Sequence, residues 1–73
     1  MPKLPRISGN EAVRAFQKTG WELVRQRGSH AILTKSESIY TLSIPLKPIL
    51  GPGLLRDLIA KAGLTVEEFR LLL

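Results

Sequence analysis

With 73 residues, 44% of them hydrophobic against 23% charged, the chain is too apolar for disorder and sized for a single domain over residues 1–73. The absence of cysteine excludes a disulfide framework and thiolate chemistry, and one histidine with six carboxylates argues against an intrachain metal site. A net charge of +5 and a pI near 10.3 favour a polyanionic partner such as nucleic acid.

No apolar run approaches the roughly 20 residues that span a bilayer, and Met1-Pro2-Lys3-Leu4-Pro5-Arg6 lacks the apolar stretch of a signal peptide. A cytoplasmic protein without membrane contact is therefore expected. Two prolines keep residues 1–7 extended as a lead-in. Ser8 followed three residues later by Glu11 is a capping box, and Ala12, Val13, Ala15 and Phe16 recur at helical spacing behind it. The spacing predicts a helix over 9–19, ended by Gly20.

Residues 21–27 alternate as a strand, with Trp21, Leu23 and Arg25 on one face and Glu22, Val24 and Gln26 on the other. Gly28-Ser29 reads as a tight turn, 30–35 as a second strand, Ser36-Glu37-Ser38 as a polar turn, and 39–44 as a third strand ended by Pro45. Connections this short favour a three-stranded antiparallel meander. The proline- and glycine-rich stretch 45–53 reads as a loop. Leu54, Leu55, Leu58, Ile59 and Ala62 then mark a second helix ended by Gly63, and a second capping box, Thr65 with Glu68, opens a short terminal helix. The fold class is α+β in the order α-β-β-β-α with a short extra C-terminal helix, the helices packed on one face of the sheet and the other face open.

His30, the only histidine, sits behind the Gly28-Ser29 turn. An imidazole with its ordinary pKa both gives and takes protons near neutrality. RNA strand cleavage needs such a group, since the 2′-hydroxyl must lose a proton to attack phosphorus and the leaving 5′-oxygen must gain one. Positive charge must also meet the anionic transition state, and Arg25 and Arg27 precede the histidine closely. The alternative is a surface or structural histidine. Gly28 and Ser29 form a hairpin connection at the least, and small residues there also admit a phosphate to backbone N–H groups. In a meander the third strand leaves at the end where the second begins, which places Lys47 at the same end of the sheet as Gly28, Ser29 and His30.

Gly20-Trp21 followed by Arg25-Gln26-Arg27-Gly28-Ser29-His30 resembles the signature of the HicA family of small toxins. Ile44-Pro45, then Pro52-Gly53 with Leu55, Arg56 and Ile59, then Ala62-Gly63-Leu64 and Glu67-Glu68-Phe69, extend the resemblance over most of the chain. The resemblance implies a fold like the double-stranded-RNA-binding domain. It also implies a metal-independent, cofactor-free endoribonuclease that cleaves mRNA and is neutralised by a HicB-type antitoxin protein. His30 takes the place of the family's catalytic histidine. Members often carry a second histidine in a P-x-H pattern after the last strand, where this chain has Lys47, and a Gly-Thr before the second helix, where it has Gly53-Leu54.

The expectation is thus an mRNA-cleaving toxin with His30 as general acid or base and Arg25, Arg27, Gly28, Ser29 and Lys47 holding phosphate. Two alternatives stand beside it: a weak or inactive RNA-binding module of the same fold, and a protein-interaction domain. The sequence leaves the oligomeric state open.

Overall fold

The computed structural model describes residues 3–73, with secondary structure in the order α1 (Gly9–Gln17), β1 (Glu22–Arg27), β2 (His30–Thr34), β3 (Thr41–Pro45), α2 (Pro52–Lys61) and α3 (Val66–Arg70). Met1 and Pro2 of the expected lead-in lie outside the described residues. The strands form one antiparallel sheet in the order β1-β2-β3. Ala31, Leu33, Leu42 and Ile44 turn inward from it, against Ala12, Val13 and Phe16 of α1 and Leu55, Leu58 and Ile59 of α2. Phe69 carries α3 into the same core, its ring 5.0 Å from that of Phe16. His30, Ile32, Thr34, Thr41, Ser43 and Pro45 alternate with the buried positions and line the opposite, helix-free face. The expected α-β-β-β-α order with a terminal helix is what the chain adopts.

Both capping boxes form. The Glu11 N–H donates to Ser8 Oγ at 3.2 Å and the Ser8 N–H to Glu11 Oε1 at 3.0 Å; Thr65 and Glu68 repeat the exchange. Each satisfies two N–H groups that a helix start leaves open. Substituting Ser8 by Ala is expected to cost about 1 kcal/mol and lower the melting temperature by about 4–8 °C, read by circular dichroism.

Four expectations need correction. The helix expected over 9–19 stops at Gln17, with 18–20 forming the turn into the sheet. The strand expected to start at Ile39 starts at Thr41; Ile39, 92% exposed, has no core to enter. Pro52 and Gly53, expected in the loop, belong to α2, because a proline in the first helical turn gives up an N–H that has no acceptor there anyway. The strict alternation along β1 also fails. The register slips between Leu23 and Arg25, so Val24 is the extra residue of a β-bulge. Leu23 therefore pairs with Leu33 on the core side, whereas Arg25 and Arg27 pair with Ile32 and His30 on the open side.

Candidate active site

The bulge sets the electrostatics of the open face. Without it Arg25 would share a face with Leu23 and turn towards the helices; with it both arginines of β1 lie on the face that carries His30. Arg27 is the direct cross-strand partner of His30, and Pro45 is its partner on the other side. Arg25 stands two pairs further along, opposite Ile32, and is the next β1 residue on the same face. Residues paired in this way hold their Cβ atoms about 5 Å apart. Arg25, Arg27 and His30 are all solvent-exposed. The imidazole makes no hydrogen bond or ion pair with any other described residue.

Gly28 and Ser29 make a two-residue hairpin turn between Arg27 and His30. Gly28 has φ +59°, and no residue other than glycine in the described chain has positive φ, the sign pattern of a type II′ turn with glycine first. A Cβ at Gly28 would meet nothing within 4 Å. Backbone conformation alone thus requires the glycine, and the space outside it is open to a ligand. The turn is anchored on both sides. Gln26 donates from Nε2 to the Gly28 carbonyl at 3.0 Å, and the Leu46 N–H donates to the Ser29 carbonyl at 2.7 Å.

That second bond continues the β2–β3 ladder one step past Pro45 and brings the backbone just before Lys47 beside Ser29. Lys47 is held there from its other side, because its carbonyl accepts from the Gly9 N–H at 3.0 Å. Its exposed side chain borders a cleft that Arg6 also lines, between the lead-in and the loop leading to α2. The same end of the sheet therefore gathers Arg25, Arg27, the turn, His30 and the Lys47 backbone, as the strand order led one to expect.

Three contributors escaped the sequence reading. Gln26 reads in the sequence as a strand residue without a site role, because a side chain reaching two residues along to a turn carbonyl leaves no periodic signal. Arg6 lay in a segment read as lead-in. Gly9 was read as the first helical residue, yet its function is a close approach: a Cβ there would lie 2.0 Å from the Pro45 carbonyl oxygen and 2.8 Å from Leu46 Cα. Only glycine lets the start of α1 press against the strand end that carries Lys47.

One comparison with known proteins bears on the family. The sequence model described as HicA toxin of bacterial toxin–antitoxin systems matches residues 9–64, which include the whole sheet, the hairpin turn, His30, Lys47 and α2. No curated protein matches the chain at a significant level. No helix among the described residues is long and apolar enough to cross a membrane. With 56 of its 73 positions inside that match, the chain belongs to the HicA family, the toxins of toxin–antitoxin pairs, and a cognate antitoxin is its counterpart.

Proposed function

We propose that the toxin acts as an endoribonuclease on mRNA in the cytoplasm, with His30 as its acid–base group and a HicB-type protein as its antitoxin. The observation that carries the reading is the row in which exposed His30 stands between exposed Arg27 and half-buried Pro45, with exposed Arg25 two pairs away on the same face. In this scheme the imidazole takes the proton of a ribose 2′-hydroxyl as its oxygen attacks the adjacent phosphorus. The bond to the 5′-oxygen breaks, giving a 2′,3′-cyclic phosphate, and that oxygen receives a proton from the imidazolium or from water. Arg27 and Arg25 face the phosphate oxygens on which negative charge grows, while Gly28 and Ser29 let the phosphate approach the turn. Lys47 supplies a further cation at the same end of the sheet.

The bulge makes this testable away from the histidine. Arg27→Gln is expected to slow cleavage of an mRNA fragment roughly tenfold, because an exposed charge is worth about 1 kcal/mol and about 1.4 kcal/mol is a factor of ten in rate. Arg70→Gln, an equal loss of charge on α3, is expected to leave the rate unchanged. Equal effects from the two would mean that bulk charge matters and the row does not.

One observation favours a second reading. No described residue bonds to the His30 imidazole, so the free protein does not fix the ring in one orientation. A chain that binds RNA by charge without cutting it would tolerate such a ring. That reading requires salt-sensitive RNA binding with no cleavage by the wild type.

A further inference from the structure

Resting on that reading, we infer that the cleft between the lead-in and the loop before α2 is a subsite for one unpaired RNA nucleotide, with Arg6 and Lys47 holding its phosphates. The cleft has a volume of about 400 Å³ and is walled by Leu4, Pro5, Ile49 and Pro52, with Arg6 and Lys47 as the charged groups that line it. That size falls within the range of about 300–1,000 Å³ typical of small-ligand sites. An apolar wall flanked by cations suits a nucleotide whose base is unstacked, since the base offers an apolar face and the phosphates offer charge. A base within a duplex stays stacked and cannot enter.

The two walls are fixed to each other by backbone. The Leu50 N–H donates to the Ile7 carbonyl at 2.9 Å and the Gly9 N–H to the Lys47 carbonyl at 3.0 Å. Arg6 and Lys47 each sit at or next to one of these bonds, so their Cα positions are set before any RNA arrives. Lys47 also follows Leu46, whose N–H is bonded to Ser29 in the hairpin turn. Backbone therefore ties the Lys47 side of the cleft to the end of the sheet that holds His30. A strand cut at His30 would run past Lys47 and place a neighbouring nucleotide between Lys47 and Arg6. Arg6 is thus a positioning residue that sets which nucleotide lies at His30.

The test is the salt dependence of binding to a 2′-O-methyl single strand, which has no 2′-hydroxyl to react, and to a blunt duplex of equal length. For the single strand, Arg6→Gln is expected to lower the slope of log K against log salt by about 0.7, the share of one phosphate contact. Arg6→Lys should restore the slope and Arg70→Gln should leave it at the wild-type value. On the duplex, Arg6→Gln should change nothing. Arg6 is exposed, so the variant folds, and an unchanged melting temperature verifies this. A single-strand slope equal to that of Arg70→Gln overturns the subsite while leaving the nuclease reading in place, as does an equal loss on the duplex. A wild type that binds neither probe removes the RNA reading, and the subsite with it.

Discussion

Replacing His30 by alanine is expected to abolish growth arrest on induction and to slow RNA cleavage by about 10²–10⁴-fold, the usual contribution of a placed acid–base group. The protein should remain folded. His30 is exposed, its imidazole makes no hydrogen bond to other described residues, and it adds no side chain to the core. Its melting temperature is therefore expected to stay within about 2–4 °C of the wild type, as surface changes of about ±0.5 kcal/mol allow in so small a protein. The pairing of lost activity with retained stability is the informative result. A variant that arrests growth as well as the wild type would put the chemistry elsewhere, and one that unfolds would make His30 structural. His30→Gln, which keeps a polar group of similar size, should be as inactive as the alanine variant.

The second large effect is on stability and lies outside the row of charges. Gly9→Ala places a carbon 2.0 Å from the Pro45 carbonyl oxygen and within 3 Å of two further backbone atoms. Backbone on both sides leaves no flexible side chain to yield, so α1 must tilt away from the end of β3. The cost is expected near the upper end of overpacking penalties, about 3 kcal/mol, which lowers the melting temperature by roughly 12–24 °C at about 4–8 °C per kcal/mol. Moving α1 also breaks the bond from the Gly9 N–H to the Lys47 carbonyl, so activity should fall even below the melting transition. The neighbouring Asn10 is exposed, and Asn10→Ala serves as the control. A Gly9→Ala protein as stable as that control would show that the contact relaxes without cost.

The fold was largely readable because local signals and burial pointed the same way. Ser8 with Glu11 and Thr65 with Glu68 announce helix starts by chemistry confined to four residues, and both boxes formed. The meander followed from connections too short for anything else. Errors came where a tertiary contact decided. Val24 looks like any strand residue, and only the pairing of Leu23 with Leu33 and of Arg25 with Ile32 reveals it as a bulge. Ile39 has strand propensity, but no inward face awaits it, so the strand begins two residues later. At the site, the strand order was enough to bring Lys47 to the end of the sheet that holds Ser29. It was not enough to show Arg6, because the lead-in is tied down by Ile7 and Gly9 through backbone bonds that carry no side-chain signature. The role proposed for His30 rests on family resemblance, since a lone histidine by itself reads more readily as a surface or structural residue.

The central claim is that this toxin cuts RNA by attack of a ribose 2′-hydroxyl, with His30 handling the protons. The measurement that reaches it most directly is chemical analysis of the fragment ends after purified protein acts on an mRNA, with and without a metal chelator. Cleavage that persists in chelator and leaves 5′-hydroxyl ends opposite 2′,3′-cyclic phosphates is the expected result, and it should vanish in His30→Ala. Intact RNA, or fragments bearing 5′-phosphates, would contradict it.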